Sequence, residues 1–336
     1  MKKTLVVLLA LVLALGATAS FAEGFKLGLH IDAVPSHYIS DATADRDGSA
    51  QIDATAAAVL VDPDGKLVDV MIDEMQAKMT FTAKGELGEG FPTEVKTKLE
   101  LLEDYNMRPA SPIGKEWYEQ IDVIGKSLIG KTAAEIRGIE LDEKAAPVDE
   151  ELRAGCTMAV NMYLNAVASA MENATAFDGL NADSKVGLGF AFSPDSKAGY
   201  YSSAASADKD GKCMAYTHYA AVAVNDGVIT GYSLDSTQAT ISFDINGKIT
   251  KTNEREITKK EKKYDYGMVP ASPIGKEWFE QVAVWDAYMV GKTIQEVAGL
   301  ELDEKFAPVD EELRAGCTMD MKDPLAVTVK AIVNAK

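Results

Sequence analysis

The twelve residues PVDEELRAGCTM occupy positions 147–158 and recur letter for letter at 308–319. They close a longer correspondence in which RPASPIGKEWYEQ, starting at Arg108, aligns without a gap on VPASPIGKEWFEQ, starting at Val269. Upstream the match weakens but persists, down to Lys26-Leu27-Gly28-Leu29 against Lys185-Val186-Gly187-Leu188. A period this long excludes a solenoid, whose units run to about 20–50 residues, and makes each copy a domain with room for its own hydrophobic core. The expected division is a leader over 1–22, a first domain over 23–175 and a second over 176–336. The boundary falls in the polar, Gly-containing stretch 173–185.

Within a copy the pattern runs from strands to helices. AAVLVDPDGKLVDVMID reads as a β-hairpin turning at Asp-Pro-Asp-Gly, and AAVAVNDGVITGYSLD as its counterpart turning at Asn225-Asp226-Gly227. Asn246-Gly247 marks a further hairpin turn. Val95, Leu99 and Leu102 predict a helix through FPTEVKTKLELLEDY, and Trp117, Ile121 and Ile124 another through PIGKEWYEQIDVIGKSLIG. Thr132 with Glu135, and Thr293 with Glu296, have the spacing of a capping box. The last helix of the second copy is expected to start at Pro324 behind an Asp323 cap. Segregated strands and helices predict an α+β fold: two tandem homologous domains, each an antiparallel sheet of hairpins followed by packed helices.

Residues 1–22 place Lys2 and Lys3 ahead of an apolar run ending in Ser20-Phe21-Ala22, the pattern of a secretory leader cleaved near Ala22. The run is too short for comfortable spanning, and no later stretch approaches the roughly 20 apolar residues a transmembrane helix needs. A secreted, extracytoplasmic protein with no membrane span in the mature chain is expected. The formal net charge is -18. Phosphate-backbone binding needs clustered Lys and Arg, so nucleic acid is not an expected partner. The three cysteines, Cys156, Cys213 and Cys317, are too few and too odd in number for a disulfide framework. His30, His37 and His218 lack zinc spacing and read as surface or turn residues. No histidine stands near Thr157 or Cys156 in sequence, so an activated hydrolytic nucleophile is not expected.

Two segments resist the drift seen elsewhere. In PASPIGKEW the prolines and Trp117 or Trp278 read as a rigid approach to a helix and a core anchor, with stacking on an aromatic ligand as the alternative. In DEELRAGCTM, Gly155 and Gly316 would let backbone N–H groups approach an anion, helped by Arg153 or Arg314. The competing reading is a simple turn in which the Arg pairs with a neighbouring carboxylate.

This segment resembles the motif that closes the FMN-binding domain family of extracytoplasmic flavoproteins, in which an acidic residue and Ser-Gly-Ala-Thr present a threonine hydroxyl for a phosphoester to FMN. The resemblance puts Gly155 and Gly316 at the motif glycine and Thr157 and Thr318 at the acceptor threonine. Ala154 and Ala315 replace the motif serine, Cys156 and Cys317 its alanine, and Glu151 and Glu312 its aspartate. The hairpins VLVDPDGKLVDVMID and VAVNDGVITGYSL are similar to the unit that opens those domains. The resemblance implies FMN as cofactor, held by Arg153, Gly155, Cys156, Thr157, Arg314, Gly316, Cys317 and Thr318. It also implies an electron carrier rather than a turnover enzyme, with redox proteins or small extracellular electron acceptors as partners. The alternative from another class is a secreted tandem binding or surface-interaction module that keeps the scaffold without flavin.

Overall fold

The computed structural model describes residues 24–89, 91–193 and 201–336; the secretory leader expected over 1–22 lies outside them. The architecture is α+β with two four-stranded antiparallel sheets. In the first half β1 (Lys26–Pro35), β2 (Gly48–Val61) and β3 (Leu67–Phe81) form a meander. They are followed by α1 (Lys98–Leu101), α2 (Trp117–Leu128), α3 (Ala133–Arg137), α4 (Glu150–Gly155) and α5 (Asn161–Glu172). The short β4 (Thr175–Ala176) returns to pair with β1, giving the order β3-β2-β1-β4. The second half repeats the meander with β5 (Lys185–Phe192), β6 (Gly211–Asn225) and β7 (Val228–Phe243), but its fourth strand, β8 (Ile249–Lys251), precedes the helices and pairs with β7 at the opposite edge, giving the order β5-β6-β7-β8. Its helices are α6 (Lys259–Lys262), α7 (Trp278–Met289), α8 (Ile294–Ala298), α9 (Glu311–Gly316) and α10 (Lys322–Asn334).

The run AAAVLV of β2 is apolar at every position because the strand is buried on both faces. Ala56, Ala58 and Leu60 point to one cluster, and Ala57, Val59 and Val61 to another, as the period-two alternation of a strand requires. The second of these clusters is the first half's sheet packed on α2 and α5. The first cluster is shared: it joins the inner faces of both sheets, so each half leans on the other as well as on its own core. The layers therefore run helices, sheet, sheet, helices. Phe81 at the end of β3 and Phe243 at the end of β7, repeat equivalents, stack across the shared core with centroids 4.3 Å apart and planes 6° from parallel.

The hairpins and both Thr-Glu capping boxes stand where the sequence puts them. Three helices differ. The element expected over 91–105 shrinks to α1, boxed by Thr97 and Glu100, because Leu102 takes φ 48° and ends it before a 3₁₀ turn. α2 starts only at Trp117, behind a Glu116 cap, so the proline segment lies outside the helix. α10 starts at Lys322 rather than Pro324, with Asp323 and Pro324 inside the first turn. No helix among the described residues is long and apolar enough to cross a membrane.

Candidate functional site

The repeated segment is not an open loop. Asp149 Oδ1 accepts the Leu152 N–H at 2.8 Å and starts α4, and Asp310 does the same for Leu313 at 2.9 Å in α9. Each short helix ends at its glycine, which is glycine because another helix passes against it. A Cβ on Gly155 would lie 2.6 Å from Val123 Cγ1, and one on Gly316 2.7 Å from Val284 Cγ1. Arg153 Nη1 is engaged by Asp142 Oδ2 at 2.9 Å and the Pro147 carbonyl at 3.0 Å; Arg314 makes the same pair of contacts to Asp303 and Pro308. The glycines, arginines and carboxylates of this segment thus form a helix and its brace rather than a phosphate cradle.

The other invariant segment meets it through one buried glutamine. Gln120 donates to Ser111 Oγ at 3.2 Å and the Lys115 carbonyl at 3.1 Å, both in PASPIGKEW, and its carbonyl accepts the Thr157 N–H at 2.9 Å. Gln281 repeats this with Ser272, Lys276 and Thr318. Glu116 and Glu277 add to the clamp by accepting the N–H groups of Met107 and Arg108, and of Met268 and Val269. Burial opposes the Glu277 charge, but these backbone donors hold its carboxyl below the usual range. The two repeated stretches of each copy are therefore halves of one joint. Gly155→Ala is expected to cost about 1–3 kcal/mol by overpacking, read as a lower urea midpoint, and Val123→Ala in the same chain should recover most of it.

Cys156 and Cys317 are fully buried, each in its own half's sheet-helix cluster, and all three cysteines are free thiols. Burial pushes Cys156 up and Cys317 to about 11, so neither is a ready nucleophile or redox centre. Cys213 faces the shared core, where burial raises it to about 12. His218 departs from its expected surface position: it lies on β6, 4% exposed, with Nδ1 2.7 Å from Ser236 Oγ, and burial drives its pKa well down.

Beside each joint opens a cleft that no single stretch of sequence announces. In the first half, a cleft of about 880 Å³ is lined by Asp53, Glu74, Lys98, Tyr105, Trp117 and Met158. In the second, one of about 330 Å³ is lined by Tyr216, Lys259, Tyr266, Trp278, Thr318 and Asp320. Lys98 and Lys259, Tyr105 and Tyr266, and Trp117 and Trp278 are repeat equivalents, so the clefts are two versions of one site. Thr318 stands on the wall of the second cleft, and Met158, next to Thr157, on that of the first. Trp117 and Trp278 are core anchors, 2% and 4% exposed, that also present an edge to the clefts.

The versions differ in charge. Lys98 Nζ lies 2.8 Å from Glu74 Oε2, which also accepts from Tyr163 Oη, itself an acceptor for Trp117 Nε1 at 2.9 Å. Burial works against the Lys98 cation, but Glu74 and Tyr105 more than offset it and raise its pKa. In the second half Ser236 stands where register would place a glutamate, since Asp73 and Asp235 correspond and each accepts the next residue's N–H. Lys259 donates instead to Tyr216 Oη at 2.6 Å, with no carboxylate oxygen within 4 Å among the described residues. Comparison with family profiles, with curated proteins and with solved structures finds no match.

Proposed function

We propose that the protein is an extracytoplasmic electron carrier that holds a flavin against each of its two aromatic-walled clefts. The observation that carries this reading is the position of Thr318: its hydroxyl belongs to the segment that resembles the FMN-acceptor motif, and it lies on the wall of a cleft built from Trp278, Tyr266 and Tyr216. Aromatic walls suit a planar ring, and a partly buried hydroxyl at the rim suits an ester link. In the second cleft the residues fit the ring and the attachment atom; in the first, Met158 lines the wall and Thr157 stands next to it. They do not add a phosphate cradle, since Gly155, Gly316, Arg153 and Arg314 are used in the brace.

A bound flavin would supply reversible electron transfer, and the chain would supply position and electrostatics. Gln120 and Gln281 fix the backbone of the two threonines. The engaged glycines and arginines favour a second reading, a two-cleft binding module that takes an apolar or aromatic small molecule without flavin. Incubation with FMN, a flavin transferase and its flavin donor separates the two. The electron-carrier reading expects two covalent mass additions, one lost in Thr157→Ala and the other in Thr318→Ala; the absence of any addition would favour the module.

A further inference from the structure

Lys259 sits in a setting that differs from its repeat equivalent in one decisive respect. Both lysines are almost fully buried, at 6% for Lys98 and 2% for Lys259. Lys98 has Glu74; Lys259 has a phenol, with its Nζ 4.3 Å from the Tyr216 ring centroid, 4.6 Å from that of Tyr266 and 5.2 Å from that of Trp278. Three ring faces favour a cation, each modestly. Losing the hydration of an ammonium costs more, and the nearest charges divide, Asp235 favouring the cation and Lys262 opposing it. His218 on β6 is held neutral, Tyr216 is held protonated, and Lys260 is engaged by Asp286 at 2.7 Å. Desolvation wins, and burial holds the Lys259 ammonium well below the usual lysine range.

The geometry points to Lys259 as an imine-forming amine: the second cleft takes a small aromatic or apolar aldehyde or ketone and joins it to Nζ. The Nζ lone pair forms the new bond to the carbonyl carbon. The displaced C–O pair takes up a proton from the nitrogen, relayed by the Tyr216 hydroxyl 2.6 Å away. The second nitrogen proton then leaves with the oxygen as water, and C=N remains. Neither electrons nor a further reactant is needed. The walls of Tyr216, Tyr266 and Trp278 suit an uncharged ring. The first cleft cannot do this, because Lys98 is held as a cation by Glu74.

The inference does not rest on flavin. Its test uses wild-type and Thr318→Ala protein, so that a flavin at Thr318 does not occupy the cleft, and an intact mass taken beforehand reads any flavin separately. Benzaldehyde with cyanoborohydride at pH 7 reduces any imine to a stable benzylamine, located by peptide mapping. Each unit by which a lysine pKa falls raises its free-amine fraction about tenfold, so Lys259 is expected to label at least about tenfold faster than Lys98 or any exposed lysine. Between pH 9 and 7 labelling of exposed lysines should fall about tenfold per unit, while that of Lys259 falls much less. Lys259→Met should lose the fast label alone. Labelling at Lys259 no faster than at exposed lysines, or none there, would overturn the assignment on the wild-type chain without recourse to any variant.

Discussion

Phe81→Ala is expected to destabilise both halves together, by about 3–5 kcal/mol for the lost side chain and its cavity, with about 0.5–1.5 kcal/mol more for the aromatic pair. Phe81 and Phe243 are fully buried and face one another across the shared core. Domains are stable by only about 5–15 kcal/mol, so the loss is a large fraction of the total. Ala42 N–H donates to the Gly247 carbonyl at 2.8 Å and Ala205 N–H to that of Gly85 at 2.6 Å, so the surrounding loops are tied across the same seam. Urea unfolding followed by tryptophan fluorescence and by circular dichroism should give one coincident transition in wild type and one, at lower urea, in the variant. Two transitions in wild type, with Phe81→Ala moving only one of them, would show the halves to be independent.

Glu74→Gln is expected to be nearly as severe, at about 3–5 kcal/mol, because it leaves the Lys98 charge buried without its counter-charge. The pair is almost fully buried, with side chains 8% and 4% exposed. Combining Glu74→Gln with Lys98→Met removes the stranded charge and should restore most of the loss, a coupling that thermal melts of the four chains would measure. If the single and double variants were equally unstable, the pair would matter through shape rather than charge. In the second half Lys259 has no such carboxylate and its Nζ donates to the Tyr216 hydroxyl instead.

How far the sequence could be read depended on how local each feature was. The repeat, the hairpin turns at Asp64-Gly65 and Asp226-Gly227 and the Thr132 and Thr293 caps are written within a few residues, and each is in place. α4 and α9 span six residues each, too few for a helical period to show, although Asp149 and Asp310 were readable caps. Reading Gly155 as an anion approach failed to anticipate Val123, whose contact with it depends on how α2 and α4 pack. Gln120 and Gln281 were passed over because a glutamine on a helix signals nothing until its partner, 37 residues on, is brought to it. The first cleft draws Asp53, Glu74, Lys98 and Trp117 from four separate elements and Met158 from the stretch between α4 and α5. The exchange of Glu74 for Ser236 acquires meaning only once the strands are in register.

The claim that the two clefts carry flavin is tested most directly by a visible absorption spectrum and an intact mass of the protein isolated from its native host. The account predicts the two-banded absorption of a flavin, with two flavin-sized additions that disappear in a Thr157→Ala, Thr318→Ala double variant. A colourless protein at its unmodified mass, still colourless after incubation with FMN, a flavin transferase and its flavin donor, would contradict it.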